Sequence, residues 1–481
     1  MLLRRLRAHA GVIALLTAFL VGRLAVWFRE PVYVSADSPG YRGGTGLTFH
    51  DVLSLTGNAP RPWGTPLFYF LFPDDGARAF GQWVVGTVAW ALLTVVLYAY
   101  PRNPVARHVA AASVLVVGLT KPVTDWDLYI GSESLSISLA VASVALFIWY
   151  GAGGRRAVLI ALTATAFWWT FIRPELRVLV GFLIVGLVLL ALFERSRRKA
   201  ALVAATVLVG AAGWLTANFP ASERAFSAYT WHGLNLTEST FIYRLRFQVM
   251  PNPDVLRIYR RDLGMPACPA AERVAHYGAW RISEFVKAYQ SCPELAAWGH
   301  KNAGSSGFRF AEAATHLYLH ETLKVLPATL SGDAGHGVSV LPKAVERTVW
   351  PSTGMVLNAL TGAYLVALLL AAVSGAFRRR KTLVYTSLGT MAAALVSTFL
   401  GLMYAAGQYA RFGIQETVLI HIAILLMAVG AIDALAGRVR DRSTAEAPAE
   451  PDPAQAEPAA TQHIPVAPVM SEDHLPKKAN T

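Results

Sequence analysis

Residues 173–199 read RPELRVLVGFLIVGLVLLALFERSRRK, and this stretch decides the fold. Apart from Arg177, Leu176 to Phe193 is unbroken apolar sequence. A run of about 18–20 such residues is what an α-helix needs to cross a bilayer. The tight turn Arg173-Pro174-Glu175 stands before it, and Arg195, Arg197, Arg198 and Lys199 follow it. Basic residues crowd the cytoplasmic ends of membrane helices, so the run has a direction as well as a length.

The same unit repeats outward from here. Apolar spans are expected at His9–Phe28, Gln82–Tyr100, Val105–Thr120, Ser134–Tyr150, Ala157–Ile172, Leu176–Phe193, Ala200–Phe219, Gly354–Phe377, Leu383–Ala406 and Gln415–Gly437. The third to fifth are short for a bilayer. Basic clusters precede the first span (Arg4, Arg5, Arg7) and follow the last (Arg438, Arg440, Arg442). Others lie at Arg102 and Arg107, at Arg155 and Arg156, and at Arg378 to Lys381. Threading ten spans puts every cluster on one side, which reads as the cytoplasm, with both termini inside.

The expectation is an all-α polytopic membrane protein with about ten transmembrane helices. A mainly helical extracytoplasmic segment, residues 218–353, separates helices 7 and 8. Residues 1–217 form an N-terminal membrane module with a first outer loop at 29–81. Residues 354–437 supply three C-terminal helices. Residues 438–481, rich in Ala, Pro and Glu, read as a disordered cytoplasmic tail. Arg4-Arg5 with Val34-Ser35-Ala36 also fits a cleaved signal peptide, but the first apolar run is long for one.

Composition agrees. Hydrophobic residues make up 54% of the 481 and charged ones 15%, against about 25% charged in soluble domains. An ordinary soluble fold is excluded. The net charge of +13 sits at the ends of apolar runs rather than in a patch, which argues against a nucleic-acid partner. The two cysteines, Cys268 and Cys292, share the large outer segment, where an oxidising compartment permits a disulfide. Helices are expected there over Glu272–Gln290 and Phe308–Leu326.

Candidate chemistry lies on the outer face. Asp37 follows the first span closely, where apolar surroundings can raise a carboxylate toward a useful base. Ahead of Ser38-Pro39 it also fits a helix cap. Asp125, Asp127 and Glu133 lie in the second outer loop, Glu133 opening a helix whose N-terminal dipole it suits. Arg42, Lys121, Arg173 and Arg411 share that face, and outward cations suit a phosphate leaving group.

Asp37 with Tyr41, then Arg61-Pro62-Trp63-Gly64-Thr65-Pro66-Leu67, resembles the first loop of GT-C class membrane glycosyltransferases. The nearest groups in pattern are the polyprenyl-phosphate-mannose/protein mannosyltransferases and the lipid A aminoarabinose transferases. Ser132-Glu133-Ser134-Leu135, Arg173-Pro174 and Tyr409-Ala410-Arg411-Phe412 resemble their later steps. The resemblance spans the first six helices and the late turn, and not residues 218–353. It implies a glycosyltransferase-like module over 1–217 that takes a sugar from a polyprenyl-phosphate donor. The acceptor would be an extracytoplasmic glycan, lipid or protein, and the transfer inverting. Asp37 would be the general base; Glu133, Asp125 and Asp127 are, from the residues themselves, the further catalytic candidates, as carboxylates that orient an acceptor hydroxyl or a metal. Tyr41, Arg61, Arg173, Tyr409 and Arg411, within the matching motifs, would bind substrate, Arg173 and Arg411 at the phosphate; Arg42 and Lys121 join them as substrate-binding candidates on their outward charge. No cofactor is required by the pattern, and a divalent cation is compatible with it. The partners implied are the lipid-linked donor, the acceptor and membrane lipids, in the cytoplasmic (inner) membrane. The mannosyltransferases tend to carry Asp-Glu where this chain has Asp37-Ser38, which leaves the acceptor open.

Two other functions compete. A lipid-linked sugar transporter or flippase would use ionisable residues within the membrane, for which Arg23, His421 and Asp433 are the candidates. A glycan ligase of the O-antigen type would use His276, His300, His316, His320 or His336.

Overall fold

A computed structural model of the protein describes residues 2–42, 48, 60–230, 232–276, 281–332, 337–402, 407 and 409–445. Tyr277, Trp280, His336, the middle of the first outer loop and the Pro-rich tail lie outside these residues. Ten long helices follow the ten apolar runs. They are α1 (Leu2–Arg29), α2 (Asp75–Ala99), α3 (Pro104–Leu119), α4 (Glu133–Gly151) and α5 (Arg156–Thr170). Then come α6 (Arg177–Phe193), α7 (Arg198–Tyr229), α8 (Val356–Ser374), α9 (Lys381–Leu402) and α10 (Tyr409–Ala445). Met1–Gly437 forms one compact unit.

Eight of the ten are long and apolar enough to cross a membrane. The exceptions are α3 and α5, with 16 and 15 residues. At 1.5 Å per residue they reach roughly 24 and 22 Å, short of a hydrocarbon core about 30 Å thick. The fourth span, expected to be short, is lengthened at its start by Glu133 and reaches 19 residues. The chain is thus an all-α, multi-pass membrane protein. Among the described residues no strand forms, and one isolated parallel bridge pairs Tyr33 with Tyr129.

The helices pack in the order α1, α3, α2, α4, α5, α7, α6 and α9, with α9 also touching α4. Helices α4 and α10 are the most buried spans. This explains why α4 carries Ser134, Ser136, Ser138 and Ser143 on buried positions, where small side chains let helices approach. Helices α6 and α8 leave Val185, Leu189, Leu192, Leu365, Val366 and Leu369 exposed. In water such faces would aggregate; against acyl chains they cost nothing.

A buried ion pair ties three elements together. Arg23 of α1 meets Asp127 at 2.7 Å and donates to the carbonyl of Trp83 on α2. Ser134 of α4 donates to Asp127 at 2.6 Å.

Between α7 and α8 the described residues form eight further helices and one π-helical turn, Leu245–Val249. Pro253, Pro269 and Pro293 each start a helix, because proline's fixed φ suits the first turn and its missing N–H is no loss there. The helices enclose their own core around Phe241, Tyr259, Phe285, Tyr289 and Leu295. Cys268 and Cys292 are joined by a disulfide, S–S 2.01 Å. The expected single helix over Glu272–Gln290 is instead two, Pro269–Ala275 and Ile282–Gln290. The expected Phe308–Leu326 helix breaks at Ala314, whose φ −147°, ψ 57° lies outside the helical region. Helix α7 does not stop near Phe219 but runs through Pro220 to Tyr229.

Candidate functional site

Asp37 and Arg173 lie in the connections after α1 and α5, and Glu133 and Arg411 stand in the first turns of α4 and α10, where the connections after α3 and α9 end. In an up-and-down bundle alternate connections share one end, and here their side chains meet. Arg411 Nη1 donates to Asp37 Oδ2 at 2.6 Å, and its Nε to Glu133 Oε1 at 2.6 Å. Arg173 Nη1 stands 3.7 Å from Glu133 Oε1, and its Nε 2.5 Å from Glu175. Arg61 closes the other end, 3.7 Å from Asp37 Oδ1. The result is an alternating row: Arg61, Asp37, Arg411, Glu133, Arg173, Glu175.

Local structure sets each member. The Tyr33–Tyr129 bridge, with N–H···O distances of 2.8 and 2.9 Å to Leu128 and Ile130, pins the segment after α1 to the connection before α4. Ser38 Oγ then donates to the Ile130 carbonyl at 2.7 Å. Asp37 precedes the short helix Ser38–Tyr41, yet its side chain makes no capping bond. The carboxylate goes to Arg411 instead, so the cap reading does not hold. Arg173 is extended, φ −150°, ψ 145°, because the residue before Pro174 is pushed out of the helical region. Aromatic rings flank the cations. Arg61 lies 4.9 Å from the Tyr41 ring and 5.0 Å from Phe226. Arg173 lies 5.3 Å from Phe412, and Arg411 5.5 Å from Tyr129. Tyr41 also accepts a hydrogen bond from Ser132 at 3.1 Å.

Exposure separates the two carboxylates. The Asp37 side chain is 40% exposed and that of Glu133 is fully buried. Burial pushes the Asp37 carboxyl up, but Arg411 and then Arg61 pull harder, and it is held below the usual aspartate range. This reverses the expectation that apolar surroundings would raise it. Burial disfavours the Arg173 charge, yet Glu175 and Glu133 hold its proton more firmly than usual.

The remaining candidates lie elsewhere. Asp127 is taken up by Arg23 and Ser134; burial raises its carboxyl, with Arg23 opposing. Asp125 is buried beside Gly337, where an added Cβ would fall 2.0 Å from its Oδ1. Arg42 pairs with Asp75, which also holds Arg78. Lys121 donates its backbone N–H to Glu346 at 2.6 Å. Tyr409 accepts from Gln248 at 3.0 Å, linking the π-helical turn to the start of α10.

The sequence reading overlooked Glu175, which ends the row, and Tyr129 and Phe412, whose rings flank its cations. Glu175 was visible in the turn it shares with Arg173. Also overlooked were Gln415 and Glu416, both buried one turn below Arg411. Two adjacent polar residues in the apolar run of α10 were the signal available.

Among the described residues no three His, Cys, Asp or Glu side chains gather to hold a metal ion. Arg411 occupies the space between Asp37 and Glu133. His316 and His320 are exposed, and His300 faces Glu238 at 3.1 Å. Both His421 ring nitrogens face backbone carbonyls at 2.8 Å. Asp433 pairs with Arg380 and accepts the N–H groups of Arg102 and Asn103 at 2.9 Å. Comparison with known protein families, curated proteins and solved structures finds no match for the chain.

Proposed function

We propose that this protein is a membrane glycosyltransferase that moves a sugar from a polyprenyl-phosphate donor to an extracytoplasmic glycan, lipid or protein acceptor. The observation that carries the reading is Arg411, shared between the accessible carboxylate of Asp37 and the buried one of Glu133. Asp37 is the group an acceptor can reach, so it takes the role of base. Glu133, buried, holds Arg411 in place. The reaction breaks the bond from the anomeric carbon to phosphate oxygen while the acceptor oxygen bonds to that carbon from the opposite face. The leaving electron pair stays on the polyprenyl phosphate, and the hydroxyl proton passes to Asp37. Arg411 and Arg173 receive the phosphate charge, as guanidinium binds phosphate through paired donors.

Charge balance adds a step. The row holds three arginines and three carboxylates, so an arriving phosphate competes with Asp37 for Arg411. Release from Arg411 makes Asp37 a stronger base at the moment donor is bound. The basic clusters at the opposite helix ends favour a cytoplasmic membrane with the site facing out and both termini inside. The transporter reading is weakened because Arg23, His421 and Asp433 are each engaged in fixed contacts that hold helices together.

The test is incubation of purified protein with radiolabelled polyprenyl-phosphate sugars and a membrane extract. Transfer of label to an extract component is expected from the wild type, and a loss of about 10²–10⁴ in rate from Asp37→Asn. Near-normal transfer by that variant would sink the mechanism.

A further inference from the structure

Helix α10 presents two polar layers to the bundle interior, and the proposed chemistry uses only the upper one. Arg411 and Phe412 form the upper layer, facing Asp37, Glu133 and Arg173. Gln415 and Glu416 lie one turn further into the span, beneath Arg411 and Phe412 respectively, since residues four apart share a helix face. Gln415 is 4% exposed and Glu416 5%. Neither the oxygen nor the nitrogen of the Gln415 amide has a hydrogen-bond partner among side chains and backbone, nor does Glu416 Oε2. Glu416 Oε1 is held by Ser397 of α9 at 2.7 Å, which fixes the carboxylate while leaving its second oxygen open.

Buried polar groups in proteins are almost always paired, and leaving one unpaired costs on the order of 1–3 kcal/mol. Three such atoms, on two adjacent residues one turn beneath the charged row, are what a polar ligand would satisfy. Their chemistry is specific: an amide that donates and accepts, beside a carboxylate oxygen that only accepts. That combination matches neighbouring hydroxyls, each of which donates and accepts. Distance agrees. In a lipid-phosphate sugar one ester oxygen separates phosphorus from the ring, and one helical turn is about 5.4 Å. Helical side chains lean toward the N-terminal end, so Gln415 leans toward the layer of Arg411.

We infer that Gln415 and Glu416 form the subsite that reads the hydroxyls of the donor's sugar. The inference rests on the phosphate role proposed for Arg411 and Arg173, and it names the residues that recognise the sugar.

The test measures binding of farnesyl phosphate and of a panel of farnesyl-phosphate hexoses, pentoses and amino sugars to the purified full-length protein. Wild type should bind at least one sugar-bearing ligand about ten-fold or more tighter than farnesyl phosphate, the gain expected of hydrogen bonds to a buried carboxylate and amide. Gln415→Met, which keeps length and volume, should erase that difference and leave farnesyl phosphate binding unchanged. Glu416→Gln, which can still accept from Ser397, should change which sugar is preferred. Empty Gln415→Met protein should also melt at a higher temperature than wild type, because an unpaired buried amide has been removed. A residue there only for structure would show the reverse. Absence of any sugar preference in wild type, or its retention in Gln415→Met, would overturn the subsite while leaving the phosphate site standing. Failure of farnesyl phosphate itself to bind would remove the transferase reading and the subsite together.

Discussion

Asp37 and Arg411 hold each other at 2.6 Å although 374 residues of chain separate them. The sign of that contact sets expectations for binding first and for pH second. Asp37→Asn should lose turnover yet bind farnesyl phosphate at least as tightly as wild type, because it releases Arg411 from a competing anion. Titration of the ligand by fluorescence checks this, and weaker binding would show that Asp37 merely props the site open. Arg411→Ala should weaken the same binding, since it removes a paired phosphate contact. The second prediction concerns pH. The Asp37 carboxyl is held low in the folded protein, so its contribution to stability is present above the unfolded aspartate value. It is lost as pH falls through the lowered folded value. The acid limb of kcat/KM, which reports the free protein, should lie below the ordinary aspartate range, and the limb of kcat should lie higher because bound phosphate shares Arg411.

Among the elements, α10 is set by its crossing with the helix Thr315–Leu330. A Cβ added to Gly413 would fall 2.3 Å from Thr329 Cγ2 and 2.4 Å from its carbonyl oxygen. A methyl can rotate away, but a backbone carbonyl within a helix cannot move cheaply. Gly413→Ala should therefore destabilise the protein by about 1–3 kcal/mol, the range for overpacking a close contact. It should also disturb Arg411, two residues earlier, and reduce transfer. Thermal unfolding in detergent together with the labelled-sugar assay checks both effects. An Ala variant of wild-type stability would mean that the two helices do not cross so closely.

For the molecule as a whole the prediction is topological. Reporter fusions after Arg102, Arg197 and Arg380 should report the cytoplasm, and fusions at Asn302 and Gly407 the outside. A cytoplasmic Asn302 would turn the proposed site to the wrong compartment. The disulfide belongs to the same scale. Cys268 and Cys292 are 24 residues apart, and closing a loop of that size contributes roughly 3 kcal/mol in the chain-entropy model. Non-reducing mass spectrometry should recover their peptides linked, and Cys292→Ser should lower the melting temperature.

The amino-acid sequence by itself determined that the chain is helical and crosses a membrane many times, because the length and polarity of an apolar run are local properties that the bilayer reads directly. It also marked Asp37, Glu133, Arg173 and Arg411 as candidates, since polar residues at the ends of apolar helices stand out against their surroundings. Only the tertiary structure decided which of the carboxylates meet. Asp127 and Glu133 are six residues apart, yet one is consumed by Arg23 and the other by Arg411. Nothing local distinguishes them, because the partner in each case is a cation on a distant helix. The sign of the Asp37 shift was illegible for the same reason. Burial alone would raise the carboxyl, and the two guanidinium groups that outweigh burial arrive from Arg61 and from the start of α10. Gln415 and Glu416 gain meaning only when the charged row is found one turn above them, because an unpaired polar group is defined by what the rest of the fold fails to offer it.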